Sequence, residues 1–283
     1  MQKIPARIID FHVHLFPDKM FDAIWEFFAK EYKWDVIHKL YYRECIEYLR
    51  EQGVEKIVYS NYAHQEGIAS GLNEWNLQVL DENPDLYCFA AYHPGDVNAL
   101  DYAEKILNHP QVLGFKLQLL VQRFFPHDER LFPMYDLVRD RGKRILFHVG
   151  TGPAGNEYVG LDQFKKLLWR YPDLSANVAH MGAFEYQGFM ELLDNHPGLY
   201  LDTSYSFFKD MQDKGGFNLG NAHLEKYKNK ILYGSDFPLL IMPRESEMET
   251  LLSYELSPEF YKKVFYENGN NLIASIVGNG IRR

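Results

Sequence analysis

The chain has 283 residues and a net charge of −9, with acidic and basic side chains interspersed along its length, which excludes the basic surface that nucleic-acid binding needs. No apolar stretch approaches the ~20 residues of a membrane helix, and Arg7-Ile8-Ile9 already reads as a strand, so a soluble cytoplasmic protein without signal peptide or membrane contact is expected. Its two cysteines, Cys45 and Cys88, are too few for a disulfide framework and sit in apolar segments, as buried free thiols do.

In chain order, the first apolar run covers residues 8–13. It leads into an aromatic insertion, residues 16–40, with Phe16, Phe21, Trp25, Phe27, Phe28, Tyr32 and Trp34, which serves either as an extra helix on the side of the fold or as a lid over a pocket. Cys45, Ile46 and Leu49 predict a helix over 42–51, stopped by Gly53. Strands are expected at 56–61 and 86–92, a helix over 101–108, and a strand over 113–119. A helix over 133–141 precedes a strand at 145–149, a helix over 162–170 a strand at 175–179, and a helix over 184–194 a strand at 199–203; the last strand falls at 231–233. Short apolar runs alternating with helical stretches argue for a parallel sheet. Eight such strands, over slightly more than the ~250 residues usual for a (β/α)8 barrel, predict an α/β TIM barrel forming a single domain over 1–283. No Gly-x-Gly-x-x-Gly follows the first strand, against a dinucleotide fold.

Chemistry-bearing residues collect at strand ends. Asp10-Phe-His12-Val-His14 closes the first strand, His148-Val-Gly the fifth, Ala-His180-Met-Gly the sixth and Gly-Ser-Asp236-Phe-Pro the eighth. Side chains at i and i+2 of a strand share a face, so Asp10, His12 and His14 are expected to point the same way. One His-x-His says little, but here further histidines close other strands. Four imidazoles and a carboxylate at the carboxyl ends of separate strands are the ingredients of a catalytic metal site. A carboxylate such as Asp236 is costly against an apolar core unless it is paired or metal-bound. Asp202-Thr203-Ser204, at the end of the seventh strand, faces the same region.

Taken together and in this order, the four motifs resemble those of the amidohydrolase superfamily. Within it, they are similar to the amidohydrolase-related group that holds aminocarboxymuconate semialdehyde decarboxylase, resorcylate decarboxylases and lactone hydrolases. Asp128-Glu-Arg-Leu-Phe-Pro-Met-Tyr135 and Asn268-Gly-Asn-Asn271-Leu share the likeness, which covers nearly the whole chain. The resemblance implies one divalent metal ion, zinc first and manganese second, held by His12, His14, His148 and Asp236, with His180 beside it. It also implies that Asp236 moves the proton of a metal-activated water while His180 polarises the water or the scissile carbonyl. Asp10 is expected to accept from the free ring N–H of a ligating histidine.

Gln118 stands where many relatives carry His, and nearby Lys116 has three readings: a carboxylated lysine bridging two metals, a ligand for an anionic substrate, or a structural lysine. Substrate contacts are expected from Lys116, His93, Ser204 and Arg123, with Arg244 and His64 as further polar residues on the same face. The expected activity is hydrolysis of a small-molecule amide, ester or lactone. The alternative is non-oxidative decarboxylation of an aromatic or unsaturated acid. A non-catalytic metal-binding barrel is disfavoured, because structural zinc sites are closed by four ligands and rich in Cys. The expected partner is a small molecule, and assembly into a homo-oligomer is left open.

Overall fold

The structure, a computed structural model, describes residues 5–208 and 215–280. Eight strands form one parallel sheet, each hydrogen-bonded to the next in sequence. They are β1 Ile8–His14, β2 Val54–Ser60, β3 Leu86–Ala91, β4 Val112–Gln118, β5 Arg144–His148, β6 Ala176–Val178, β7 Leu199–Asp202 and β8 Ile231–Leu232. Between them run α1 Asp18–Phe27, α2 Tyr42–Glu51, α3 Ala69–Glu82, α4 Ala99–Leu107, α5 Leu119–Gln122, α6 Phe132–Asp140, α7 Leu161–Arg170, α8 Tyr186–Leu192 and α9 Asn221–Tyr227. After β8 come α10 Arg244–Leu252, α11 Pro258–Lys262 and α12 Asn268–Gly280. The sheet closes on itself through the backbone just beyond the short β8: Phe11 N–H donates to the Tyr233 carbonyl, Asp236 N–H to that of His12 and His14 N–H to that of Phe237, each at 2.8 Å. This is the expected (β/α)8 TIM barrel. Among the described residues no helix is long and apolar enough to cross a membrane.

Strands buried on both faces read as continuous apolar runs, which is why all eight were visible in the sequence. Their outward side chains, such as Ile57, Tyr59, Phe115 and Phe147, pack under the helices. Their inward ones, including Phe11, Val58, Phe89, Leu146 and Leu232, fill the lower barrel, where Leu272, Ile273 and Ile276 of α12 join them. The amino end of the barrel is therefore plugged, and the polar residues gather at the carboxyl end.

Strand β1 is not regular. Asp10 lies opposite Ile57 and Val13 opposite Tyr59, so three steps of β1 are matched to two of β2. This bulge lets the consecutive residues Phe11 and His12 both point into the barrel, Phe11 in the inner core and His12 towards Asp236. Asp10 instead turns outward to Arg244 at the start of α10, with both side chains fully buried. The expectation that Asp10 shares a face with His12 and His14 is corrected accordingly.

Helix α3 joins the barrel through asparagines. Asn73 bonds the Ala91 backbone through both its amide atoms, and Asn76 exchanges two hydrogen bonds with Asn61 beyond β2. Residues 16–40 contain α1, a wider helical turn over Phe28–Tyr32 and an extended stretch. Phe21 of α1 is buried and stacks on Trp25 at 5.5 Å, so this helix packs on the barrel, while Phe28, Tyr32 and Trp34 reach over its mouth.

Candidate metal centre

Asp236 follows β8 in the left-handed conformation (φ 63°), a region that Asp tolerates better than most residues. Gly234, two residues earlier, makes the approach to β1 feasible, since a Cβ there would stand 2.6 Å from that of His12. Asp236 Oδ1 then lies 3.2 Å from Nε2 of both His12 and His14. His180 also has a left-handed backbone (φ 56°) and stacks on His12 at 5.2 Å. His12, His180 and Asp236 each offer a ligand atom, all within 4.8 Å of one another.

The hydrogen-bond partners assign the tautomers. His12 Nδ1 lies 3.0 Å from Asp202 Oδ2, so it carries the proton and leaves the Nε2 lone pair towards Asp236. His180 Nδ1 donates to Ser204, whose carbonyl is at 3.1 Å, which leaves its Nε2 lone pair as well. That atom sits 3.2 Å from Nδ1 of His148, which accepts from Gln118 Nε2 at 3.0 Å while His148 Nε2–H donates to the Gly152 carbonyl. Lone pairs therefore face one another twice, and the buried Asp236 Oδ1 has no hydrogen-bond partner. Such a cluster is stable only with positive charge among its members. Imidazole nitrogens and a carboxylate are donors suited to zinc or manganese, so the residues present fit a divalent metal.

Burial raises the Asp236 carboxyl, but His14, His12 and His180 outweigh it and hold the group far below the usual carboxylate range. Burial likewise opposes ionisation of Asp202, yet His12 and His180 bring it down to about 2. His148 is pushed well down by burial, then by His180 and Lys116, and His180 is lowered mainly by burial. Both stay neutral; His180 keeps its Nε2 lone pair for a ligand, whereas both ring nitrogens of His148 are engaged, by Gln118 and by Gly152. Lys116 is fully buried with Nζ 3.5 Å from His12 Nε2, and burial brings it down to about 8 although Asp202 and Asp236 pull the other way.

The remaining expected residues lie at varying distances from this centre. Ser204 Oγ sits behind the imidazoles, donating to Asp202 Oδ1 at 2.5 Å and reaching His180 Nδ1 at 2.8 Å. His93 accepts from the Gly95 amide and packs on Phe124. Arg123, left-handed at the end of α5, is exposed. Arg244, expected among the polar residues of the catalytic face, is 1 % exposed and bound to Asp10. Asp10 itself accepts from Ser235 N–H at 3.0 Å and Ser235 Oγ at 2.6 Å, so it fixes the residue before Asp236.

Two roles were not foreseen from sequence: Asp202 as the partner of His12, and Gln118 as the anchor of His148. The only signal for Asp202 was a charged residue closing the apolar run Leu199-Tyr-Leu. Above the centre opens a pocket walled by Trp34, Tyr62, Phe184 and Tyr205, with Trp34 stacked on Tyr205 at 5.9 Å.

A family model described as amidohydrolase matches residues 9–271. An uncharacterised TIM-barrel protein from Bordetella bronchiseptica superposes with a TM-score of 0.72 at 18% identity, covering 95% of this chain and 99% of the other. A 5-carboxyvanillate decarboxylase from Novosphingobium aromaticivorans, solved with manganese and 4-hydroxy-3-methoxy-5-nitrobenzoic acid, gives 0.68 at 14% identity over 94% and 95% of the two chains. A probable 2-pyrone-4,6-dicarboxylic acid hydrolase from Acinetobacter baumannii gives 0.64 at 15% over 94% and 99%. At these identities the three structures share the fold. No curated protein matches the chain.

Proposed function

The chain belongs to the amidohydrolase family, and on that premise we propose that it is a metal-dependent hydrolase of a small-molecule amide, ester or lactone. The observation that carries this reading is the convergence of His12, His14 and His180 on the partnerless oxygen of Asp236. His12, His180 and Asp236 would hold the ion, with His14 and His148 adjoining. Zinc and manganese both suit this donor set, and manganese in the decarboxylase structure supports the second. A divalent ion bound there supplies Lewis acidity towards a water or a carbonyl oxygen.

The chain's own residues do the rest. Asp236, kept ionised by its imidazole neighbours, takes the proton of the attacking water and returns it to the leaving group. His180, with its Nδ1 proton committed to Ser204, is oriented by that bond beside the reacting groups. Lys116, buried behind His12, supplies positive charge near the developing anion. The aromatic wall sheds water from the pocket.

One feature favours a second reading: the stacked Trp34 and Tyr205 suit a planar ring, as in decarboxylation of an aromatic acid. A panel of lactones, esters, amides and aromatic acids, offered to metal-loaded protein with acid release and carbon dioxide both recorded, separates the two. Hydrolysis with no carbon dioxide is expected. Carbon dioxide from an aromatic acid, with every ester, amide and lactone untouched, would replace the hydrolase reading with the decarboxylase one.

A further inference from the structure

Helix α1 carries two apolar faces. Phe21 and Trp25 pack inward, whereas Met20, Ala23, Ile24 and Phe27, at the i, i+3, i+4, i+7 spacing of a second stripe, look onto a cleft floored by Phe16 and Tyr62. This stripe is incompletely covered, and Phe27 is 45% exposed. The cleft adjoins the pocket over the metal centre, and Phe28, Tyr62 and Val121 line both. The two spaces differ in size. The slot beside Asp236 holds about 90 Å³, room for a reacting group, whereas the cleft under α1 holds about 350 Å³.

We infer that the cleft between α1 and the barrel is a second substrate subsite that takes an apolar tail, so that the substrate is a small ester or lactone bearing an alkyl or aryl chain. This inference rests on the hydrolase reading for the scissile group but not for the tail. The scissile group sits at Asp236, and the chain passes Tyr62 and Phe28 to lie along Ala23 and Phe27. Besides the Tyr62 hydroxyl, only Lys19 and His64 bring polar side-chain atoms to the lining, so a long polar tail is poorly matched.

Two series test it. Turnover of γ-lactones from γ-butyrolactone to γ-dodecalactone is followed with zinc- or manganese-loaded protein, and binding of the matching 2-alkyltetrahydrofurans, which have no bond to hydrolyse, is followed by calorimetry. Burial of each methylene is worth ~0.8 kcal/mol, so Kd is expected to fall about fourfold per methylene until the cleft is filled, with kcat/KM rising in parallel. Ala23→Trp, which fills the cleft, is expected to flatten both trends. Phe27→Asp makes the same test by polarity should the tryptophan variant misfold.

A chain-length trend in ether binding without turnover of any lactone would keep the subsite and remove the hydrolase reading. A flat trend in ether binding, even with brisk lactone turnover, would overturn the subsite, as would a trend that survives in both variants. The same variant tests the stripe as a dimer face: a wild-type dimer that Phe27→Asp dissociates, with long-chain binding unchanged, would assign the cleft to a second copy of the chain and overturn the inference.

Discussion

The Nδ1 of His12 and the Oδ2 of Asp202 stand 3.0 Å apart, with both side chains closed to solvent. The carboxylate holds the ring in one tautomer and aims Nε2 at Asp236. Partners of this kind, when altered, lower metal affinity by about 10- to 100-fold. Asp202→Asn is expected to fall in that range, measured by competition with a chromophoric chelator. Affinity equal to wild type would leave Asp202 with no part in orienting the ring.

Purified protein is expected to carry about one equivalent of zinc or manganese, and to lose it when His12 and His14 are both changed to Ala. Elemental analysis reads both. Protein grown with ample zinc and manganese yet free of metal would remove the proposed mechanism. Two equivalents, with about half lost in Lys116→Ala, would assign Lys116 as a bridging ligand. Unchanged metal with a raised Michaelis constant is the expected result for that variant.

Asp236→Asn is expected to keep the fold and lose turnover by about 100- to 10,000-fold, with weakened metal binding adding to the loss. A helix-capping role would instead predict a loss of about 1 kcal/mol in stability with activity kept. The structure gives that role no helix to act on, since α10 begins at Arg244 with Pro243 before it. Melting temperature and turnover on one preparation separate the two, and near-normal turnover would end the catalytic assignment.

Arg244→Met strands the Asp10 carboxylate inside the protein. Breaking a buried pair in this way costs about 3–5 kcal/mol. Burial already raises the Asp10 carboxyl in spite of Arg244 and Ser235. Urea unfolding should show the loss, and adding Asp10→Asn should recover part of it, because the amide no longer demands a counter-charge. Additive losses in the double variant would mean the two residues act separately.

Lys143 supplies a pH test far from the centre. Its ammonium donates to the Val112 carbonyl at 2.6 Å, and burial, with Arg141 adding to it, brings the group down to about 8. Between that value and the ~10.4 of an unfolded lysine, the unfolded chain holds a proton that the native one has released. This contribution to stability is full above the unfolded value and is lost as pH falls through about 8, with a slope of up to about 1.4 kcal/mol per pH unit. Lys116 gives a slope of the same sign, so the quantity to read is the wild-type slope minus that of Lys143→Met, by urea unfolding from about pH 8 to about pH 10. Identical slopes would show Lys143 charged throughout.

The barrel was legible because the strands are largely buried on both faces and read as mainly apolar runs, and the ligand candidates because histidines and a carboxylate stand where those runs stop. Helix α3 was not seen. Asn73 and Asn76 occupy its buried face, so its apolar stripe is interrupted by the very residues that dock it. The bulge in β1 was also hidden, since an i, i+2 rule assumes a regular strand, and only the pairing with β2 reveals the extra residue. Arg244 looked like a loop cation because nothing in sequence announces that Asp10, 234 residues away, turns outward to meet it. The aim of His148 depends on Gln118 across the β4–β5 pair, a contact that spacing along the chain does not encode.

The seam between β8 and β1 has a dynamic consequence. Three backbone hydrogen bonds close the barrel there, and the residues that make them include His12, His14 and Asp236. A cation held by His12 and Asp236 would also clasp the wall, which would couple release of the ion to breathing of the seam. Amide hydrogens of Phe11, His14 and Asp236 would then exchange as one cooperative group, slowed together when metal is added, while amides in the middle of β4 and β5 remain indifferent. An empty barrel would be a looser barrel first of all at its own active site.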